Sequence, residues 1–423
     1  MIFDQQRKSQ KSWNKAIVLV DIHGDFAKSC LSFVHNKNPE RLVYVSSSIN
    51  REFPTDDTYS ATINPFEIGS GGNKTVEEIS VYANELADAI SELLETAAHP
   101  ISVQMSALLK PTIFTLMFSA QNPSLGMLAD MFLDKDGRNS SLLALGLQSP
   151  VPLFRDFFQH DWHSSEYTLT KRSIRTKLLY FLADPMLSHM INGRSTVNLE
   201  QCLNEGKIII INVPKSAGKF TSSVIARLVV ASIHAIMIRR DGIERKLRKP
   251  CFLYLDEFQT MATSSLISSL AETRKYSLTI VAATQTTEAL SKDVRTAFMV
   301  NSRIKMISWL DHAGKMLFSK ELNVSMDTLN SIKAMEFVVK ISDGKHEAFK
   351  FKVPILGKNR FLTGSEQQEL YKYLVLQSGQ YRKVSFPPAP PLADVSLPAK
   401  PVSKQLKKGK DDNPFSDGLK PGF

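Results

Sequence analysis

Short apolar runs alternate along the chain with longer segments whose apolar residues recur at helical spacing. The short runs are rich in Ile, Val and Leu and predict buried β-strands at Ala16–Asp21, Arg41–Ser46, Lys207–Val213, Phe252–Leu255, Leu278–Ala283 and Ile304–Ser308. Two further runs, Phe337–Ile341 and Ala348–Val353, predict a terminal hairpin. Strands that alternate with helices indicate an α/β fold with a mainly parallel sheet flanked by helices. Ligands of such sheets collect beyond the carboxyl ends of the strands.

One long segment has few strand signals and predicts an all-helical insertion. Its apolar residues follow helical spacing at Thr75–Thr96, Ile101–Ser119, Ser124–Leu133 and Ile174–Met190. Two core helices are expected after it, at Thr221–Arg240 and Ser264–Lys275. The predicted organisation is, in order, the first part of the α/β core over 1–74, the helical insertion over 75–200, the rest of the core over 201–360, a C-terminal helix over 361–383 and a tail over 384–423.

The tail is dense in proline, lysine and glycine and has no apolar pattern. Such a segment cannot bury enough apolar surface to offset its chain entropy, so we predict that it is disordered. A short docking motif around Asn413, Pro414 and Phe415 is the feature in it that suggests a partner.

The charge of the chain favours an acidic partner. Its 423 residues carry a formal net charge of +10, with 43% hydrophobic and 22% charged residues, a composition typical of globular proteins. DNA fits such a surface, and so does an anionic membrane surface; a basic surface without a polyanion partner is the plainer interpretation. Lys246, Arg248 and Lys249 are candidate DNA-phosphate contacts, although a solvated connector would have the same composition.

Cysteine spacing and apolar segments predict a cytoplasmic protein, peripheral at most to the inner face of a membrane. Cys30, Cys202 and Cys251 are far apart and form no metal-binding spacing, as in a reducing compartment. The first 15 residues are polar and do not resemble a signal peptide. The apolar segment Ser223–Ile238 is shorter than the roughly 20 residues of a membrane span, so we interpret it as a buried helix.

Polar residues at the ends of two predicted strands suggest nucleotide chemistry. Asp256 and Glu257 end one strand, and triphosphate hydrolysis needs one carboxylate near Mg²⁺ and a second group that orients or deprotonates water. Gln285 ends the next strand, where an amide can touch both a γ-phosphate oxygen and the attacking water. Arg274 precedes that strand, and its guanidinium would stabilise transition-state charge across a subunit interface. The structural alternatives are that Asp256 and Glu257 only form a turn after a strand, and that Arg274 only lies at a solvated helix end.

The loop that normally holds the phosphates of a nucleoside triphosphate has no complete match in the sequence. No G-x-x-x-x-G-K-[ST] sequence occurs, although its backbone amides and lysine are what hold the β- and γ-phosphates. Val213–Phe220 lies between a strand and a helix but lacks the first glycine, and Phe220 replaces the Mg²⁺-binding hydroxyl. Gly69–Thr75 is a second near match that could form at most a weak anion site.

The segment LYLDEFQ…AETRKYSLTIVAATQ resembles the HerA–FtsK group of RecA-like motor ATPases, and most of all the DNA-binding domain of TraD/TraG-type coupling proteins of conjugation and type IV secretion. Four other segments are similar in the same order: IVLVDIHGDF, INPF, EGKIIIINVPKSAGK and NSRIKMISWLDH. The resemblance covers about residues 16–355.

The resemblance implies a hexameric ring with ATP and Mg²⁺ between subunits and DNA in the central channel. Asp256 would assist Mg²⁺, Glu257 would activate water, Gln285 would sense the γ-phosphate, and Arg274 would act on a neighbouring subunit. The helical insertion would engage substrates at the channel entrance. Relaxase and secretion-channel proteins are further implied partners.

The chain departs from the family at its start. In the family a strand, P-loop and helix precede the segment that matches Ala16–Phe26, whereas here 15 residues without glycine precede it. A truncated start, a split gene and a pseudo-ATPase all fit. Two hypotheses follow: a DNA-translocating motor subunit that lacks its P-loop, or a non-catalytic DNA-binding or substrate-recruiting adaptor that pairs with a P-loop-bearing partner. A viral packaging motor of the same superfamily is a third and weaker one.

Overall fold

The computed structural model describes ten stretches of the chain: 15–35, 39–67, 75–95, 103–133, 137, 139–262, 266–267, 270–285, 290–354 and 361–385. Nearly all of the predicted tail, 384–423, lies outside these residues, and so does most of the near match Gly69–Thr75. The described residues up to Val384 belong to one compact unit.

The strands are, in chain order, β1 (Ala16–Asp21), β2 (Leu42–Ser46), β3 (Thr58–Ser60), β4 (Ile208–Asn212), β5 (Cys251–Leu255), β6 (Leu278–Ala282), β7 (Ile304–Ile307), β8 (Glu336–Ile341), β9 (Phe349–Lys352) and β10 (Arg382–Val384). Five of them form a parallel sheet in the order β2-β4-β1-β5-β6. Every residue of β1 and β4 is buried, as expected for apolar runs covered on both faces. The predicted parallel α/β sheet is therefore confirmed.

The helices are, in chain order, α1 (Asp25–His35), α2 (Ile49–Glu52), α3 (Val76–Leu94), α4 (Val103–Ser119), α5 (Leu125–Met131), α6 (Ser140–Leu147), α7 (Pro152–Asp156), α8 (Thr168–Leu182), α9 (Pro185–Ile191), α10 (Leu199–Glu205), α11 (Lys219–Ile238), α12 (Lys292–Asn301), α13 (His312–Leu322), α14 (Met326–Asn330) and α15 (Gly364–Leu376). Between β3 and β4 the described residues contain helices and turns without a strand.

Three helix predictions need correction. The segment Ile174–Met190 is two helices, because Pro185 cannot continue α8 and Asp184 instead caps α9 through the amides of Met186 and Leu187. The predicted helix Ser264–Lys275 is helical at its described residues 266–267, but its described end is a short 3₁₀ turn, Thr273–Tyr276, closed by Ser277 in the left-handed conformation.

The third correction concerns the C-terminal segment 361–383. Its helix, α15, ends at Leu376, and β10 follows. This strand pairs antiparallel with β3, so the chain end returns to the start of the core. Neither of these two short strands was predicted, because three-residue strands carry almost no periodic signal.

The helical segment and the sheet share one hydrophobic core. Helix α11 is buried along most of its length and lies against α3, where His234 Nδ1 is 2.8 Å from Glu85 Oε2. By length and composition α11 could cross a membrane, but 83% of its most apolar window is buried inside the protein, as in a core helix. The buried helix predicted over Ser223–Ile238 is therefore confirmed.

A separate antiparallel sheet, β7-β8-β9, has one covered face. Val338 and Ile307 on that face pack with α13 and α14 through Phe318, Leu322 and Leu329. This small core is distinct from the main one. The predicted hairpin of β8 and β9 is confirmed.

The outer edge of β2 is closed by side chains from the segment after α15. Gln380 accepts a hydrogen bond from the amide of Tyr44 (2.8 Å) and donates to the carbonyl of Leu42 (3.1 Å). The hydroxyl of Tyr381 accepts from the amide of Ser46 and donates to the carbonyl of Tyr44, both at 3.0 Å. These bonds satisfy backbone groups that an edge strand otherwise leaves unpaired.

Tyr381→Phe should therefore destabilise the chain by about 1–3 kcal/mol, because it leaves one buried amide and one buried carbonyl without a partner. The measurement is the midpoint of thermal or urea unfolding. Tyr373→Phe is the matched control, since Tyr373 is 44% exposed and its loss should change little. Equal midpoints for both variants would contradict this role of Tyr381.

Candidate functional site

The carboxyl ends of the parallel strands bring together several polar side chains that are far apart in sequence. Asp21 ends β1, Asn212 ends β4, Asp256 and Glu257 follow β5, and Gln285 lies three residues beyond β6. Parallel pairing places all of these strand ends at one edge of the sheet. We call these residues the carboxyl-edge cluster.

Asp21 shapes the turn at the centre of this cluster. Its carboxylate is fully buried and accepts hydrogen bonds from the amides of His23 (2.7 Å), Gly24 (3.0 Å) and Ala27 (2.8 Å). The last bond ties the carboxylate to the first turn of α1, where a negative charge is favourable. Gly24 has φ +95°, and a Cβ there would lie 3.2 Å from both Asn212 and Pro214. Asp21 is therefore the structural anchor of this turn.

Glu257 is the most constrained residue of the cluster. Its backbone is left-handed (φ 63°, ψ 52°), which is uncommon outside glycine and is typical of strained functional positions. Its side chain is nearly buried and accepts hydrogen bonds from the side-chain amides of Gln285 and Gln259. His23 Nε2 lies 3.2 Å from its Oε1. The structure thus joins Glu257 and Gln285, although 28 residues separate them.

Asp256 differs from its neighbour because it is only half-buried. Burial raises the pKa of its carboxyl above the ordinary aspartate value, and the nearby carboxylate of Asp21 raises it further. Its ionised form is therefore costly in the ligand-free protein and would be stabilised by a cation.

Two residues in contact with the cluster carry no clear signal in the sequence. His23 lies within the segment IVLVDIHGDF, where its residue type alone did not indicate a role. Glu52, on α2, has a side chain only 4% exposed that accepts from the Tyr44 hydroxyl (3.0 Å) and from Asn212 Nδ2 (2.9 Å). No spacing rule marks Glu52, since its position depends on how α2 folds back over the end of β2.

Arg274 lies at the amino ends of the parallel strands, opposite the carboxyl-edge cluster. The turn Thr273–Tyr276 precedes β6, whereas Gln285 follows it, so the protomer does not place Arg274 beside Glu257. Arg274 is exposed. A role at Glu257 would require a neighbouring subunit, which is how the resemblance places it.

The three candidate DNA contacts precede β5 and so lie near the same amino edge. Lys246 is exposed, with a partner in Glu244 at 2.8 Å. Lys249 is half-buried. The guanidinium of Arg248 instead donates to three backbone carbonyls, those of Ile243, Lys275 and Asp241, at 2.6–2.8 Å. Its side chain is 10% exposed, which favours a structural function for Arg248.

The described residues fit one half of a site for a nucleoside triphosphate with Mg²⁺. They supply a half-exposed carboxylate, Asp256, and a fixed carboxylate–amide pair, Glu257 and Gln285. Mg²⁺ commonly binds one or two carboxylates together with substrate phosphates, so a ready-made cage is not required. In the part of the chain that the structure describes, no group of three or more His, Cys, Asp or Glu residues could hold a metal on its own.

The loop Val213–Phe220 does not show the geometry of a phosphate loop in its described residues. Residues 215–217 form one 3₁₀ turn, and Gly218 with φ 118° precedes α11. The amide of Lys215 donates to the carbonyl of Ile22 at 2.8 Å. The hydroxyl of Ser222 is 2.9 Å from the carbonyls of Pro214 and Gly218. The amide of Lys215 is therefore bonded within the protein, and Ser222 of α11 donates to carbonyls of the loop.

Solved structures to which this fold is similar include coupling proteins. The unbound monoclinic form of the bacterial conjugative coupling protein TrwBdeltaN70 is 14% identical, with a TM-score of 0.54 and coverage of 82% of this chain and 81% of that chain. The plasmid coupling protein TrwB in complex with the non-hydrolysable ATP analogue ADPNP has 14% identity, a TM-score of 0.56 and the same coverage. TrwB in complex with ADP and Mg²⁺ has 12% identity, a TM-score of 0.51 and coverage of 84% and 89%.

The fold is therefore the RecA-like α/β core of this class of proteins, as expected from the sequence. No curated protein matches the chain in sequence. The family model of the type IV secretion-system coupling protein DNA-binding domain matches residues 8–294. The chain belongs to that family, which confirms the resemblance to TraD/TraG-type coupling proteins.

Asp256→Asn should raise the thermal midpoint of the ligand-free chain at neutral pH. The raised pKa means that the ionised carboxylate costs more in the folded than in the unfolded state, and a neutral amide removes that cost. The gain should vanish as the pH falls below the ordinary aspartate range, where both states are protonated. Because the group is half-exposed, we expect a shift of only about 1–2 °C.

The measurement is a series of thermal melts between pH 4 and pH 8, compared with Asp56→Asn as an exposed control. A loss of stability in Asp256→Asn at pH 7 would show that this carboxylate is instead a net stabilising group.

Proposed function

We propose that the chain is a subunit of a DNA-translocating ring ATPase of the coupling type. The observation that carries this proposal is the contact between Glu257 and Gln285 beside Asp256, at the carboxyl edge of a parallel sheet. A carboxylate and an amide in contact are suited to hold a water molecule and a γ-phosphate oxygen together. The complexes of TrwB with ADPNP and with ADP and Mg²⁺ support ATP and Mg²⁺ as cofactors.

Each of the site residues would have a separate role in ATP hydrolysis. Asp256 would hold a water of Mg²⁺, and the cation would favour the ionised form of this carboxyl and neutralise phosphate charge. Glu257 would accept the proton of the attacking water. Gln285 would release Glu257 on contact with the γ-phosphate, and His23 would keep the carboxylate oriented in the meantime. Arg274 would stabilise charge in the site of the next subunit, so the proposal includes a ring, hexameric as in the resemblance.

Glu257→Gln should reduce DNA-dependent ATP turnover by at least about 100-fold, because it removes the proton acceptor and keeps the shape of the side chain. Turnover of the purified chain is measured with and without DNA. Glu272→Gln is the matched control, since Glu272 is exposed before β6 and pairs only with Lys275 (3.3 Å) among the described contacts. Equal activity of both variants would contradict the role of Glu257.

A second candidate is a DNA-binding or substrate-recruiting adaptor that pairs with a P-loop-bearing partner. It is favoured by one observation: the 423 residues contain no G-x-x-x-x-G-K-[ST] sequence. Absence of any turnover by the unaltered chain alone would favour this candidate over an autonomous motor subunit. In both cases we place the protein in the cytoplasm at the inner face of the membrane, near relaxase and secretion-channel proteins.

DNA would bind near the basic amino edge of the sheet. Basic residues stand close before the parallel strands, at Lys15, Arg41, Lys207, Lys249 and Lys275. The carboxyl edge carries Asp21, Glu52, Asp256 and Glu257. Two of the amino-edge lysines have acidic partners, Lys207 in Glu205 and Lys275 in Glu272. A phosphate backbone would compete with these partners for the exposed lysines.

Lys246→Ala combined with Lys249→Ala should weaken DNA binding evenly across sequences. It should also lower the slope of log K against log salt by about 0.9 for each phosphate that is no longer neutralised. Binding is measured by fluorescence anisotropy at salt concentrations from about 50 to about 300 mM, a range in which the electrostatic part of the affinity changes strongly. Lys372→Ala, an exposed lysine on α15, is the control. An unchanged affinity and slope in the double variant would place the DNA elsewhere on the chain.

A further inference from the structure

Two aromatic side chains outside the carboxyl-edge cluster lie together on the surface, where the helical segment meets the core. Tyr180, near the end of α8, is 66% exposed, and Phe220, in the first turn of α11, is 40% exposed. Their ring centroids are 5.2 Å apart. Leu179, beside Tyr180, is also partly exposed. We call Tyr180 and Phe220 the aromatic platform, because a contiguous exposed surface of this kind usually marks an interaction site.

The aromatic platform is fixed from below. Phe181 is buried, and its ring centroid lies 5.2 Å from that of Phe220. The start of α11 is also tied to the turn after α8, since the hydroxyl of Thr221 donates to Asp184, whose other carboxylate oxygen caps α9. Both exposed rings are therefore held in place before any ligand arrives, and binding to them costs little side-chain entropy.

Positive charge surrounds the aromatic platform. Lys215 and Lys219 lie in the segment that leads into α11, within five residues of Phe220. Arg51 is exposed beside the same segment, with its Nη1 3.4 Å from the carbonyl oxygen of Ser216. Among the contacts of the described residues, neither lysine has a carboxylate partner. A phosphate group near the platform would therefore be attracted without displacing an acidic side chain.

Lys219 occupies a position that stability alone does not favour. It is the first residue of α11, whose first turn has no acidic residue and no side-chain cap. The amino end of a helix carries partial positive charge, so a lysine there is unfavourable. A ligand with negative charge would give this lysine a function.

Rings beside cations fit a nucleic acid strand with unpaired bases. Proteins that bind single strands stack the bases on aromatic side chains and attract the backbone with lysine and arginine. The bases of a duplex are stacked on one another and have no free face for such a contact. An apolar peptide would use the rings but would leave the three cations without a partner. The combination of rings and cations therefore favours a single strand.

We propose that the aromatic platform binds unpaired bases of single-stranded DNA, with Lys215, Lys219 and Arg51 on the adjacent phosphates. This inference adds a base contact to the phosphate contacts at the amino edge. It rests on the proposed function only for DNA as the partner.

The proposed strand would lie close to the carboxyl-edge cluster. The amide of Lys215 donates to the carbonyl of Ile22 at 2.8 Å. Pro214 lies against Gly24, where a Cβ would be 3.2 Å away. The segment that leads to the platform therefore touches the turn that Asp21 and His23 share.

The test measures binding to the full 423-residue chain by fluorescence anisotropy, in the absence of nucleotide. The two probes are a labelled oligothymidylate of about 20 nucleotides and an abasic strand with the same number of phosphates. The unaltered chain should bind the oligothymidylate at least about tenfold more tightly, because stacking requires bases. Tyr180→Ala should remove this advantage and leave the abasic affinity unchanged. Equal affinities of the unaltered chain for both strands, absence of binding, or a loss in Tyr180→Ala that is equal for both strands would overturn the proposal.

Two further substitutions separate stacking from simple apolar contact. Tyr180→Phe keeps the ring and should bind the oligothymidylate within about twofold of the unaltered chain. Tyr180→Leu keeps an apolar side chain without a ring and should lose at least about fivefold. Full affinity in Tyr180→Leu would overturn stacking and indicate an apolar partner instead. Tyr373→Ala, which removes an exposed tyrosine of α15, is the matched control and should bind normally. Thermal midpoints should agree within about 2 °C, since both tyrosines are exposed.

Lys219→Gln tests the phosphate contact. It should weaken binding of the oligothymidylate and of the abasic strand by the same factor, and lower the slope of log K against log salt by about 0.7. The thermal midpoint should stay the same or rise, because a positive charge is removed from the amino end of α11. A lower midpoint with unchanged affinity and slope would overturn the assignment of Lys219 and show a structural role.

Nucleotide turnover separates this inference from the proposed function. Oligothymidylate binding that depends on Tyr180, without any ATP turnover, supports the aromatic platform and counts against the motor. DNA-dependent turnover that Tyr180→Ala leaves intact, together with unchanged affinity, supports the motor and overturns the platform. Tighter binding of a duplex of the same length, or of an oligouridylate, would overturn single-stranded DNA as the ligand.

Discussion

Parallel pairing of five buried strands is the constraint on which the rest of this structure depends. Because β5 and β6 run in the same direction, their ends meet at one edge, and Glu257 can contact Gln285 across 28 residues of sequence. An antiparallel arrangement would separate these side chains by the length of a strand. The fully buried β1 and β4 lie at the centre of this sheet and are covered on both faces.

Two residues of the carboxyl-edge cluster, Asp256 and Glu257, have properties that cost stability. Glu257 adopts a left-handed backbone without being glycine, and burial, together with the nearby carboxylate of Asp21, raises the pKa of Asp256. Both features cost stability, and such features cluster at functional sites. Asp21 has the opposite character, because its carboxylate is satisfied by three backbone amides. One carboxylate thus builds the turn, and its neighbours remain available for chemistry.

The two outer edges of the parallel sheet differ. At β2, backbone groups are bonded to the side chains of Gln380 and Tyr381, whereas the outward groups of β6 lack partners in the described chain. Membership in the coupling-protein family accounts for the parallel core.

Local patterns in the sequence determined the buried strands, the long helix α11 and the family. Runs such as AIVLVD and IIIIN are apolar except for their last residue and are typical of strands in a sheet that is covered on both faces. Asp256, Glu257 and Gln285 follow two predicted strands, so the sequence alone indicated nucleotide chemistry for them. Tertiary structure alone decided the short pairing of β3 with β10, the position of Glu52 and the structural use of Arg248. The physical reason is range: periodicity reports which face of an element is buried, whereas a contact between distant segments depends on how the chain between them closes.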